Sequence, residues 1–196
     1  MHVRGTISSV GFGSGDRFVI GCWTESPVGA LVDVMWATPD GRRRLLTDTD
    51  EGAAFITSIY EFDDVEIAPL TVVSERTATT VRSERLSLSL RGGRLRPVPF
   101  RRPRAITRLV EAPIARRLMG VECYGTSPLG AREWYQATGW RWVADASGEL
   151  DGHDLGPPTT LRPALGVGFS EPPARPSIVH VRVSIEVPSE PSGARH

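Results

Sequence analysis

Residues 132–156 read REWYQATGWRWVADASGELDGHDLG, and how this stretch is divided decides the fold. It holds three of the chain's five Trp, one of its three Tyr and its only Gln. Thr138-Gly139 separates two aromatic runs, and a two-residue turn there would make a hairpin with Ala137 opposite Trp140. That register sets Glu133, Tyr135 and Ala137 against Trp140, Trp142 and Ala144 on one face. The other face carries Arg132, Trp134 and Gln136 against Arg141, Val143 and Asp145. Arg132 then stands opposite Asp145, Gln136 opposite Arg141, and Tyr135 opposite Trp142, all favourable cross-strand pairs.

The first face combines one carboxylate with three large rings. Such surroundings desolvate Glu133, raise its pKa and suit it to acid–base work or to a cationic or hydroxylated ligand. The competing reading makes the rings ordinary core and leaves Glu133 at a sheet edge in water. The candidate ligand-binding residues are Glu133, Tyr135, Trp140 and Trp142, joined by Arg132 and by His180, which alternates with Arg182 on the polar side of a strand.

Outward from this stretch the chain reads as strands and turns. Phe18–Trp23 and Leu31–Ala37 are rich in β-branched and aromatic residues, and Pro39-Asp40-Gly41 turns the second into a partner strand at Arg42–Thr47. Asp48-Thr49-Asp50-Glu51 has the spacing of a capping box, and Phe55, Ile56, Ile59 and Tyr60 recur at helical spacing, so a helix is expected over about 48–61. Val65–Ser74 and Thr77–Leu90 return to strand character, with Gly92-Gly93 read as a hairpin turn placing Leu90 opposite Leu95. Pro97 and Pro99 end that return strand. Ile106, Leu109, Val110, Ile114, Leu118 and Met119 predict a second helical region over about 104–119, interrupted near Pro113. Ser177–Val187 alternates most cleanly of all, with Val179, Val181, Val183, Ile185 and Val187 on one side. The expectation is an α+β fold: a largely antiparallel, strongly curved or barrel-like sheet with two short helical regions. Residues 1–188 are expected to form a single domain and 189–196 a disordered tail.

Composition narrows the chemistry. All 23 basic residues are Arg, with no Lys and no Asn, which excludes Schiff-base and P-loop lysine chemistry and N-glycosylation. Net charge is zero, yet 9 Arg and one acid fall in residues 91–117. That segment either faces an anion or neutralises the acidic remainder; with only Phe100 interleaved and no nucleic-acid motif around it, nucleic acid is not the expected partner. Cys22 and Cys123 lack the paired spacing of a metal centre. Asp151, His153 and Asp154 in DGHDLG resemble a fragment of a ligand set but sit in a tight loop without a completing His, so no metal and no cofactor is expected. GFGSGD near the start lacks the strand and helix of a phosphate loop and reads as a turn. No apolar run reaches the roughly 18 residues of a membrane helix, and the start of the chain lacks the apolar segment of a signal peptide, so a cytoplasmic protein with no membrane partner is expected.

The run GVECYGTSPLGAREWYQATGWRWV, with DGHDLG and VGFSEPPARPSIVHV after it, resembles a group of actinobacterial proteins of about this length to which no activity is assigned. The resemblance implies no cofactor, catalytic residue or substrate.

Three functions follow from the residues. The first is a small-molecule binder whose curved sheet holds an apolar or aromatic ligand in a Trp- and Tyr-lined pocket. The second is a lyase- or isomerase-like enzyme using Glu133 or His180 as acid or base with an Arg holding a carboxylate substrate. The third is a structural or partner-binding module presenting the arginine segment.

Overall fold

The computed structural model describes residues 1–97, 124–126, 132–168 and 172–186. The chain opens as a four-stranded antiparallel meander, β1 (His2–Phe12), β2 (Arg17–Glu25), β3 (Leu31–Ala37) and β4 (Arg43–Thr47). The helix α1 (Asp50–Thr57) then crosses to β5 (Asp64–Ile67), which pairs parallel to β4. A second meander follows in β6 (Thr71–Ser74), β7 (Ala78–Arg82) and β8 (Leu86–Gly92). The short β9 (Arg96–Pro97) and β10 (Tyr124–Thr126) both pair with the long β11 (Arg132–Leu150). β12 (His153–Asp154), β13 (Pro158–Thr159) and β14 (Ser177–Glu186) complete the sheet. Its order is β5-β4-β3-β2-β1-β14-β11-β8-β7-β6.

α1 forms in the expected region but starts one residue later than the Asp48/Glu51 capping-box spacing implies, and it is shorter than the expected 48–61. Thr49 is its N-cap, with Oγ1 accepting from Gly52 N at 3.1 Å, and Asp50 and Glu51 face the positive end of the helix dipole. It is the only helix among the described residues, and the expected helical region at 104–119 lies outside them.

β11 corrects the reading of the decisive stretch. Thr138-Gly139 is a β-bulge, not a turn: Ala137 pairs with Val181 and Gly139 with His180, leaving Thr138 as the extra residue. Gly139 does not take the positive φ that a two-residue hairpin turn demands. The strand instead runs on and changes partner. Residues 132–142 pair with β14, and after a second irregularity between Val143 and Asp145 the strand pairs with β8 as far as Leu150. Tyr135 is therefore opposite Val183 and Trp142 opposite Ser177, and Arg132 is opposite Glu186 rather than Asp145. The hairpin turn comes at Asp151-Gly152, with φ of 52° and 78°, linking β11 to β12.

A second register also differs from expectation. Gly92-Gly93 does not close a hairpin: β8 and β9 both pair with β11, and Leu90 lies opposite Thr79 and Ala146, not Leu95. A strand offered a long partner on one edge gains more ladder bonds there than from a two-residue turn back on itself.

The sheet curls so that the two meanders meet face to face. Val10, Phe12, Phe18, Ile20, Val34 and Trp36 pack against Val72, Val81, Leu86, Leu88 and Leu90 from the other end of the strand order. Phe18 stacks on Trp36 at 5.8 Å and meets Phe12 edge-on at 6.1 Å. Full burial of such side chains contributes about 1.5–3 kcal/mol each, so this interior stabilises the fold. The opposite face of β1, β2, β3 and β14 is also buried, beneath α1 and the segment around Leu161, Leu165 and Val167. No helix among the described residues is long and apolar enough to cross a membrane.

Candidate ligand site under the helix

Among the described residues, the inside of the curl opens only in a recess of about 20 Å³ beside Val34, Trp36 and Leu86, and a larger space lies on the other face of the sheet. There β14 presents Val179, Val181, Val183 and Ile185, the row that alternation assigns to one side, while α1 and its following turn close down Phe55, Ile56, Ile59 and Tyr60. Between them is a chamber of about 160 Å³. Ile7, Val19, Trp23 and Met35 from β1–β3 form its floor, and Ala137 and Trp140 enter from β11.

One charged group among the described residues breaks this apolar lining. Asp33 sits in the middle of β3, is only 1% exposed, and lies directly across the ladder from Gly21. Its Oδ1 accepts a hydrogen bond from Trp23 Nε1 at 2.7 Å. Gly21 makes that bond sterically feasible, because a Cβ there would overlap Asp33 Oδ1 and Trp23 Nε1. Burial pushes the Asp33 carboxyl up to about 6, and the hydrogen bond from Trp23 only partly opposes the shift.

The sequence candidates divide around this chamber. Trp140 lines it, with its ring 4.6 Å from Trp142 in an edge-on pair. Arg96 stands over Trp140 at 5.2 Å and Arg175 over Trp142 at 4.9 Å. Backbone register places Glu133 opposite Ile185 and Tyr135 opposite Val183, and Arg132 opposite Glu186. The bulge at Thr138 keeps Ala137 and Trp140 on one face, so the grouping expected from a hairpin arises from a different cause.

His180 belongs elsewhere. Its neighbours Val179 and Val181 line the chamber, so alternation turns His180 to the other face, where Nδ1 is 2.9 Å from Thr6 Oγ1. Burial, and then the charge of Arg141, lower its pKa. His180 and the chamber carboxylate therefore do not converge.

The DGHD loop is engaged internally. Arg85 holds Asp151 through two bonds of 2.7 Å, and Asp154 Oδ1 accepts from Gly156 N at 2.8 Å as a short turn does. Among the described residues no cluster of three or more His, Cys, Asp or Glu gathers.

No protein-family model matches the sequence, and no curated protein matches it. Among solved structures the chain is similar to an acetoacetate decarboxylase from Legionella pneumophila, with TM-score 0.40 and 10% identity over 93% of this chain and 82% of that one. It is also similar to a protein described as AttH from Nitrosomonas europaea, with TM-score 0.37 and 10% identity over 98% of this chain. The chain spans about half of that second structure, 53% of its length.

Proposed function

We propose that this chain binds a small apolar or aromatic molecule in the chamber between α1 and the curled sheet. The observation that carries the reading is a walled space of about 160 Å³ whose described lining is aliphatic and aromatic apart from one buried carboxylate. A binding pocket has this character: an apolar body with few polar groups to orient the occupant. An engineered protein cavity of about 150 Å³ stays dry and takes up benzene, which sets the scale of a single-ring ligand here.

A lyase or isomerase built on His180 finds no support in this arrangement, because His180 faces away from the chamber and no Arg lines it among the described residues. The test uses toluene and benzyl alcohol. Trp23 and Trp140 line the space, so intrinsic fluorescence should change saturably with either ligand. Ala137→Phe, which fills the chamber from β11, should abolish that response. A linear response shared by the parent protein and the Ala137→Phe variant would exclude binding in the chamber.

A further inference from the structure

We propose that the chamber selects a protonated primary or secondary amine carrying a small apolar body, with the Asp33 carboxylate as the anchor; this rests on the chamber being a binding site. Asp33 is almost wholly removed from water, and among the described residues its carboxylate receives a single hydrogen bond, from Trp23 to Oδ1. An ionised carboxylate has about four acceptor sites across two oxygens, so most of its capacity is unused. No described side chain lining the chamber is cationic. A buried charge is stable only when paired, and the partner this one lacks among the described residues is a cation with N–H donors, which a ligand would bring.

The surroundings fit the rest of that ligand. Trp23, Phe55, Tyr60 and Trp140 present rings to the same space, and ring faces attract an ammonium group while their bodies pack on its apolar part. An anionic ligand meets the opposite situation, since Asp33 would repel it and Arg96 and Arg175 already lie over the rings of Trp140 and Trp142.

The groups around Asp33 leave its own ionisation in control. β2 contributes Trp23 and Gly21, β14 and β1 contribute aliphatic side chains, and α1 with its following turn contributes Phe55, Ile56, Ile59 and the phenol of Tyr60. Cys22, on the opposite face of β2, has its thiol pushed up by burial first and by the charge of Asp33 in addition. Glu133 of β11 occupies the register position opposite Ile185. With the Asp33 carboxyl at about 6, the anionic anchor prevails at about pH 8 and is about tenfold depleted at about pH 5.

The experiment compares benzylamine, toluene and benzoate by tryptophan fluorescence at about pH 8 and about pH 5. Benzylamine should bind at least about tenfold more tightly than toluene at the higher pH and lose most of that advantage at the lower one, while toluene stays unchanged. Asp33→Asn should remove both the preference for benzylamine over toluene and its pH dependence. If that variant fails to fold, the pH series on the parent protein still decides. Toluene binding with no preference for benzylamine at about pH 8, or a preference for benzoate, overturns the amine assignment alone. Failure of all three to bind overturns the chamber reading together with it.

Discussion

Gly21 and Asp33 face each other across one rung of the ladder between β2 and β3, and the chamber's polarity depends on both. Gly21→Ala would drive a methyl group into Asp33 Oδ1 and Trp23 Nε1, atoms that already share a hydrogen bond. Overpacking of this kind costs about 1–3 kcal/mol, so urea unfolding should show a loss of that size along with weakened ligand response. Asp33 also makes a signed statement about pH. Its folded pKa of about 6 lies above the ordinary 3.8, so the folded state holds this proton more tightly than the unfolded state does. Stability from this group is therefore fullest below about pH 4, falls as pH rises to about 6 by roughly 3 kcal/mol, and is level above. Asp63 runs the other way, since hydrogen bonds from Arg43 hold it down at about 2, and its stabilisation is lost only below the Asp33 window. The lowered pKa of His180 works the opposite way but is common to both proteins, so the unfolding free energy of the parent minus that of Asp33→Asn should decline from about pH 4 to 7. The sequence offered a signal for this residue that alternation alone hides. In LVDVMWA both Leu31 and Met35 on one side and Val32, Val34 and Trp36 on the other are apolar, so an acid at position 33 is buried whichever face it takes.

α1 and β11 form two of the chamber's sides, and each shows how far local signals reach. α1 was legible because its cap and its stripe are both local: Thr49 accepts from Gly52, and Ile56 and Ile59 are buried. Thr49→Ala removes that cap and should cost about 1 kcal/mol in urea unfolding. Because α1 roofs the chamber, ligand release should also speed up in stopped-flow fluorescence, and an unchanged release rate would show that the roof does not gate the site. β3, β4 and β14 were legible for the same reason, since β3 and β4 pair with each other and β14 pairs with β1 without a register shift, and β2 shifts only near its end, at Thr24. β11 was not. Its bulge at Thr138 and the second irregularity at Ala144 reset the period twice, turning Trp140 toward the chamber and Ala146 and Leu150 toward the packed interior. The information that Thr138-Gly139 continues rather than turns resides in β14, about forty residues away in sequence, which offers partners along the whole first half of the strand. Asp151-Gly152 carries the stronger turn chemistry, with both residues at positive φ and Arg85 holding the Asp151 side chain.

At the scale of the molecule, the same strands β1, β2 and β3 separate two apolar bodies of different kinds: a packed interior in the curl and a hollow layer beneath α1. Charge follows the same local economy. Asp63, Asp64 and Glu66, the acids available to the arginine segment, pair with Arg43, Arg42, Arg44 and Arg85 from their own part of the chain. Arg101, Arg102, Arg104, Arg108, Arg116 and Arg117 lie outside the described residues. The two apolar bodies should be energetically separable. Leu88 is 1% exposed in the interior, and Leu88→Ala removes its contacts without touching a side chain of the chamber, so it should cost about 2–5 kcal/mol of stability. A ligand that binds only the folded state adds about 2.7 kcal/mol at a hundred times its Kd, whatever the stability it starts from. Urea unfolding with and without benzyl alcohol should therefore show the same increment in the parent protein and in Leu88→Ala, equal to within about 0.5 kcal/mol. A smaller increment in the variant would mean that the cavity left at Leu88 is transmitted through the shared strands. In that case the packed interior sets the shape of the ligand chamber as well as holding the fold together.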